Sequence, residues 1–287
     1  MAIEGLTIIG ETINDSVPST KKLFDAEDID GLLELARFQD QQGAAYIDVN
    51  VGPRSPQFMA DLIRKIQGVT GKPLSIDTPD PEIAAAGLAA YDLPRAGGQR
   101  PILNSISPLR MEMFELVKIL PFRPILLVSE QVIDGRSRPC RTAEETYATA
   151  KFLVGKAQER GIAVTDCIID PGIAPIGSDC EGNLKRLMTA IEKIHTDPAL
   201  AGIHMSVGLS NFTVMLPPKR ADGSPLKGPL ESALLTKAMP LGLDMVIGSV
   251  RRNYQRLAPD HPAMACLGDC LKLGGLESIM RVREFYT

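Results

Sequence analysis

Ile203-His204-Met205-Ser206-Val207-Gly208-Leu209-Ser210-Asn211 is the stretch on which the fold turns. Residues 203–207 have the length and branching of a buried strand. The run breaks at Gly208 and delivers Ser210 and Asn211 just past the strand end. The same event recurs at Ile47-Asp48-Val49-Asn50, Leu74-Ser75-Ile76-Asp77, Ile102-Leu103-Asn104-Ser105 and Ile168-Ile169-Asp170. One such ending is chance or a turn. Repeated on strand after strand, it gives the sheet one polar rim, where the chemistry is expected.

Working outward, strand and helix patterns alternate along the whole chain. Strands are expected at 6–9, 46–50, 74–77, 102–105, 125–128, 167–170, 203–207 and 245–247. Amphipathic stretches lie between them at 29–42, 57–68, 81–90, 109–120, 143–160, 181–195 and 229–241. Asp80-Pro81 and Thr142 sit where helix caps belong, and Gly43 and Gly161 where helices end before a new strand. Eight strands with intervening helices favour an α/β TIM (β/α)8 barrel over an open doubly wound sheet. No G-x-G-x-x-G follows the first strand, which weakens a dinucleotide site. With no linker, repeat or low-complexity run, one domain over 1–287 is expected. The helical tail with 263–271 should close the barrel or join a subunit contact.

Composition narrows the class. A chain of 287 residues, 44% hydrophobic and 23% charged, reads as a soluble globular protein. A net charge of −4 gives no electrostatic reason to expect nucleic acid. No apolar run approaches the roughly 20 residues that span a bilayer. The start Met1-Ala2-Ile3-Glu4 lacks the features of a signal peptide. Cysteines 140, 167, 180, 266 and 270, an odd number, suit a reducing compartment, so a cytoplasmic location is expected.

In such a barrel the carboxyl ends of the strands form the active-site face. That brings Glu11, Asn14, Asn50, Asp77, Asn104, Asp170 and Asn211 to one mouth. The histidines fall elsewhere: His195 on a helix, His204 early in strand seven, His261 in the tail. Cys266 and Cys270 lack a second pair, so no metal site is expected. Acids and amides without a base suit a flat heterocycle that presents donors and acceptors together. A pterin has such an edge. Taken alone, Asp77-Thr78-Pro79 reads equally well as a turn, and Asp170-Pro171-Gly172 reads better as one.

Six motifs in order then carry a resemblance. They are Ile9-Gly10-Glu11-Thr12-Ile13-Asn14, Ile47-Asp48-Val49-Asn50-Val51-Gly52, Ser75-Ile76-Asp77-Thr78, Leu103-Asn104-Ser105, Ile169-Asp170-Pro171 and Gly208-Leu209-Ser210-Asn211. With them the chain resembles the pterin-binding methyltetrahydrofolate:corrinoid protein methyltransferases, of acetogen and O-demethylase type. It is similar to the folate domain of cobalamin-dependent methionine synthase too. The resemblance implies a dihydropteroate synthase-like barrel that binds tetrahydrofolate or 5-methyltetrahydrofolate as substrate. It implies that Asp77, Asn104 and Asp170 grip the pterin ring and that Asn211 is the catalytic amide near N5. Glu11, Asn14, Asn50, Gly208 and Ser210 complete the implied binding set. A homodimer is implied as well.

The chain also departs from that pattern. Thr12 stands where arginine often follows the glutamate, and residues 212–229, with Lys219, Arg220 and Lys227, align poorly. No D-x-H-x-x-G motif occurs, so the corrinoid (cobalamin) is expected on a separate corrinoid protein. Dihydropteroate synthase chemistry and a non-catalytic folate-binding module are the alternatives. The first needs cations for a pyrophosphate, for which only Arg251 and Arg252 stand after strand eight.

Overall fold

The computed structural model describes residues 3–287; the first two residues of the Met1-Ala2-Ile3-Glu4 start lie outside the described residues. Eight parallel strands form one sheet: β1 (Thr7–Asn14), β2 (Tyr46–Asn50), β3 (Leu74–Asp77), β4 (Ile102–Ile106), β5 (Arg123–Leu127), β8 (Ile168–Asp170), β9 (His204–Met205) and β10 (Met245–Gly248). Two more, β6 (Glu130–Ile133) and β7 (Arg136–Pro139), pair antiparallel as a hairpin after β5. The parallel order is β10-β1-β2-β3-β4-β5-β8-β9. Its two ends meet where Ile247 N–H donates to the Val207 carbonyl at 3.0 Å and Gly208 bridges Ile247. The sheet closes into a barrel, as the alternating pattern predicts.

Helices α1 (Pro18–Asp25), α2 (Ile29–Gln41), α3 (Pro56–Gln67), α4 (Pro81–Ala90), α5 (Ala143–Gln158), α6 (Asn183–Thr196) and α7 (Lys227–Ala238) lie between strands. Local chemistry starts them. Ser55 accepts from Phe58 N–H ahead of Pro56 in α3, and Asp80 accepts from Glu82 and Ile83 N–H in α4. Thr142 and Glu145 form a reciprocal capping box on α5. Each helix then turns apolar residues inward; α3 buries Met59, Leu62, Ile63 and Ile66 against the strands. The tail folds as α8 (Pro262–Lys272) and α9 (Gly275–Tyr286). They pack on each other and α8 packs on α7, outside the strand ring.

Three local expectations need correcting, and one hairpin was not expected. The first strand does not stop at residue 9: it runs to Asn14 through a register shift between Gly10 and Ile13. The shift matters because it breaks strict alternation, so Glu11 and Asn14 share a face. Residues 109–120 are not an α-helix; residues Met111–Lys118 wind as 3-10 turns, with i to i+3 bonds such as Met113 N–H to the Arg110 carbonyl. Ser107 begins this tightening by accepting from Leu109 N–H through its hydroxyl and from Arg110 N–H through its carbonyl. The strand expected at 203–207 is only His204–Met205; beyond it Ser206 N–H still donates to the Ile169 carbonyl, and Val207 and Gly208 pair with Ile247 as an isolated bridge. The hairpin was signalled by Asp134-Gly135, both at positive φ, as a tight two-residue turn requires.

Candidate functional site

Successive inward residues of each strand build the barrel interior in layers. The lower layer is apolar: Ile9, Tyr46, Ile102, Ile125, Ile168 and Met245 pack together as one cluster. One pleat step toward the carboxyl ends stand Glu11, Asp48, Asp77, Asn104, Leu127, Asp170 and Ile247. They line a cavity of about 670 Å³ that also takes in Asn14, Gly208, Ser210 and Asn211. Eight of the nine expected site residues therefore meet at one mouth. The ninth, Asn50, is outside the lining, but its Nδ2 donates to Asp77 Oδ2 at 2.9 Å. Its own Oδ1 accepts from Gly52 N–H at 2.9 Å, which locks the amide's orientation. Asn50 thus supports an acid that lines the cavity.

Asp48 is the lining acid that sequence reading passed over. Tyr46, Asp48 and Asn50 share one strand face, so alternation alone carried the signal. Its side chain is fully buried, and Oδ1 accepts from Ser75 Oγ at 2.5 Å. The other oxygen, Oδ2, is buried with no conventional donor on it among the described residues, and the carboxyl's remaining polar neighbours are Asp77 and Asn104.

The acids sit deep in the barrel mouth, and burial shifts their protonation. Burial pushes the Asp170 carboxyl up to about 6, against the pull of Gly172 N–H and the Arg186 charge. Burial pushes Glu11 up to about 7; the Ser210 hydrogen bond opposes this and the Glu231 charge adds to it. Asp48 and Asp77 are both raised, chiefly by burial, and Asp48 further by the neighbouring Asp77 charge.

Main-chain geometry fixes two of the loops. Asp170 Oδ1 accepts from Gly172 N–H at 2.8 Å, so the residue is a turn former as well as a cavity acid. Buried Arg186 of α6 holds that loop, donating to the Pro171 carbonyl at 2.8 Å and the Gly172 carbonyl at 3.1 Å. Gly172 has φ +69°, and a Cβ there would meet Ser129 Cβ at 2.5 Å, so the turn requires glycine. Past β9, residues Leu209–Thr213 make one 3-10 turn pinned by buried Leu209, Phe212 and Thr213. Thr213 Oγ1 donates to buried Glu231 of α7. This leaves the exposed Asn211 amide at the mouth, with no side-chain hydrogen bond among the described residues. A Cβ on Gly208 would come within 2.8 Å of Asn211 Nδ2, so glycine makes room for the amide. Ser210 Oγ donates to Glu11 Oε2 at 2.9 Å, tying this turn to β1 across the barrel seam.

The other candidates fall away from the mouth. His204 pairs with Asp244 at the opposite end, Nδ1 to Oδ2 2.6 Å. His261 caps α8, and His195 lies on α6. Arg220 donates to the Phe285 carbonyl and stacks over its ring, while Lys227 donates to the Val214 carbonyl. Arg251 stacks over Phe38, and Arg252 pairs with Glu231 at 3.4 Å. Thr12 takes a main-chain role, its N–H donating to Gln39 Oε1 at 3.1 Å. Among the described residues no cluster of His, Cys, Asp or Glu has metal-binding geometry. No described helix is long and apolar enough to cross a membrane.

Comparison with known proteins meets this geometry. In solved structures the fold is that of a Xanthomonas albilineans dihydropteroate synthase with 4-aminobenzoic acid. That likeness has a TM-score of 0.58 at 16% identity and covers 94% of this chain and 93% of the other. In sequence the chain is 27% identical over 251 residues to a methylcorrinoid:tetrahydrofolate methyltransferase of Eubacterium limosum, covering 84% of each. Residues 12–248, which hold all of the polar layer except Glu11, match the pterin binding enzyme family. The chain belongs to that family.

Proposed function

We propose that this protein is a methyltransferase that moves a methyl group between N5 of tetrahydrofolate and the cobalt of a corrinoid carried by a separate protein. The observation that carries the reading is an acid-and-amide layer above an apolar floor, with the unengaged Asn211 amide at its open edge. Asp77, Asn104 and Asp170 would accept and donate along the pyrimidine edge of the pterin, where a ring N–H lies beside an amino group. Asn211 would meet N5. That nitrogen is protonated in one stage and bears a lone pair or methyl in another. An amide serves both, since it accepts from N–H through oxygen or donates through nitrogen. Transfer is an in-line displacement at the methyl carbon between nitrogen and cobalt. The chain's work is therefore positioning and electrostatic support. An open mouth is what a large corrinoid arriving from outside requires. The relative's name supports the same pair of substrates. A homodimer belongs to this reading on the strength of the family resemblance.

Dihydropteroate synthase chemistry needs cations for a leaving pyrophosphate. Here Arg251 and Arg252 are engaged with Phe38 and Glu231, while acids, amides, two serines and apolar groups line the cavity. The deciding experiment mixes the protein with reduced corrinoid protein and methyltetrahydrofolate and follows the cobalt absorption bands. Methylation of cobalt, or its reverse with methylcorrinoid and tetrahydrofolate, supports the transfer. Unchanged bands in both directions, with folate bound, leave only a folate-binding module.

A further inference from the structure

Asp48 is the most deeply buried acid of the cavity, and the proposed transfer gives it no role. It has zero exposure and stands directly across from Ser75 in the β2–β3 register, held by the Ser75 hydroxyl. Its Oδ2 receives no hydrogen bond from a conventional donor among the described residues, and the Asp48 carboxyl shares a hydrogen bond with that of Asp77. Asp77 lies two residues further along the neighbouring strand, on the same inward face, and takes the Asn50 amide on one oxygen. Two ionised carboxyls side by side in a dry wall are unfavourable, so a pair of this kind retains one proton.

We propose that Asp48 is a positioning residue of the pterin grip: from the wall beneath Asp77 it carries the proton the two acids share and keeps Asp77 as the charged acceptor for the ligand's N–H edge. The proposal rests on the pterin reading above. Its division of labour follows from depth. Asp48 is the more enclosed acid, and the hydroxyl of Ser75 already occupies one of its oxygens. Asp77 is nearer the opening and has Asn50 to stabilise its charge; the more remote Arg110 favours that charge as well. Charged or polar groups facing the pair are Glu11 from β1 and Asn104 from β4. Glu11 adds negative charge, a further reason for the deeper acid to stay neutral. The Asn104 amide favours the ionised form of Asp48 and so opposes the assignment, but burial outweighs it. A proton donated by Asp48 lowers the proton affinity of Asp77, which keeps a bidentate acceptor available in a site that otherwise favours neutral acids.

The test is calorimetric titration of wild type, Asp48→Ala and Asp48→Asn with tetrahydrofolate from about pH 5 to about pH 8, with denaturant unfolding of each. Asp48→Ala removes the donor, so affinity should fall on the order of ten- to a hundredfold. Asp77 then holds its own proton more tightly, so the acidic limb of binding should move to higher pH. Asp48→Asn keeps an N–H donor without a titrating group, so it should restore both affinity and limb. Asp170 titrates alike in all three proteins; Glu11 feels the charge of the pair, so the decisive difference is between Asp48→Ala and Asp48→Asn, both of which lack the titrating group. An Asp48→Asn protein that binds as weakly as Asp48→Ala overturns the proposal, since Asp48 would then act as an ionised acceptor. Wild-type affinity and limb in Asp48→Ala also overturn it, whatever the stability. If wild type itself does not bind tetrahydrofolate, the pterin reading fails and takes this proposal with it.

Discussion

The barrel's lower and upper interior layers are built on the same strands, one pleat step of about 7 Å apart, yet they differ in kind. Ile9 gives way to Glu11, Tyr46 to Asp48, Ile102 to Asn104 and Ile168 to Asp170. Only Leu127 above Ile125 and Ile247 above Met245 stay apolar. The lower layer stabilises by excluding water. The upper layer is expensive because of its dry floor, and Glu11, Asp48, Asp77 and Asp170 are all raised by burial. The fold thus tolerates a row of acids it does not need, which is what a ligand site costs an apo protein.

The sharpest way to break the comparison is to move an acid down one step. Ile168→Asp puts an unpaired carboxyl into the apolar cluster and should cost about 3–5 kcal/mol of stability. Asp170→Asn, one step up, should leave the fold intact. Urea midpoints read both. An Ile168→Asp protein as stable as Asp170→Asn would show that the two layers are equally wet.

Asn211→Ala comes next, and it separates chemistry from binding. The exposed amide makes no side-chain hydrogen bond among the described residues, so stability should change little. A hydrogen bond realised mainly during transfer should lower kcat by about ten- to a thousandfold while folate affinity changes less. Stopped-flow corrinoid methylation at saturating folate measures this. A wild-type rate removes Asn211 from the chemistry.

The raised acids make a smaller prediction about pH. Folded Asp170 holds its proton up to about 6 and Glu11 up to about 7, whereas unfolded carboxyls release theirs near pH 4. Between those values the native state binds more protons than the unfolded one, so stability falls as pH rises through that window. Asp170→Asn and Glu11→Gln should each flatten the fall, by roughly 1–3 kcal/mol at pH 7. Folate binding has the opposite slope at Asp170: below about pH 6 the acceptor is protonated and affinity should drop. Asp170→Ala should weaken folate binding by about 1.5–3 kcal/mol without unfolding the chain. Urea midpoints against pH and calorimetric titration test the two slopes separately.

These layers explain what was legible in the sequence. The eight parallel strands and the polar rim were visible because a strand buried on both faces is a short apolar run, and its ending on Asp or Asn stands out. Asn50 was chosen over Asp48 because the last polar residue of a run looks like the rim. Depth in the barrel is set by stagger between strands, which no single run displays. The continuation of β1 to Asn14 was hidden because the register shift after Gly10 destroys the alternation that marks a strand. Helix α1 was missed because only Thr20 and Phe24 of its eight residues are buried, too few for a period to show. The engagement of Arg220 and Lys227 with Phe285 and Val214 depends on contacts remote in sequence, so the local reading could not distinguish them from cations free for a ligand.

The smallest expected effect concerns the seam where the two ends of the sheet meet. Ser210 Oγ donates to Glu11 Oε2 at 2.9 Å, joining the Asn211 turn to the bulged first strand. The bond opposes the burial that lifts Glu11 to about 7, so Ser210→Ala should raise Glu11 further. One lost hydrogen bond to a half-buried acid supports a shift of less than about one pH unit. If Glu11 acts as an ionised acceptor toward the pterin, the acidic limb of the transfer rate moves to higher pH and activity near pH 7 drops. If it acts with its proton on, the alkaline limb moves up instead and activity above pH 7 rises. A pH–rate profile of Ser210→Ala beside Glu11→Gln therefore reads the working form of Glu11 from the sign of the shift. In Glu11→Gln the same limb should vanish. A limb that persists there belongs to another acid of the upper layer, and Asp170, at about 6, is the nearest in value.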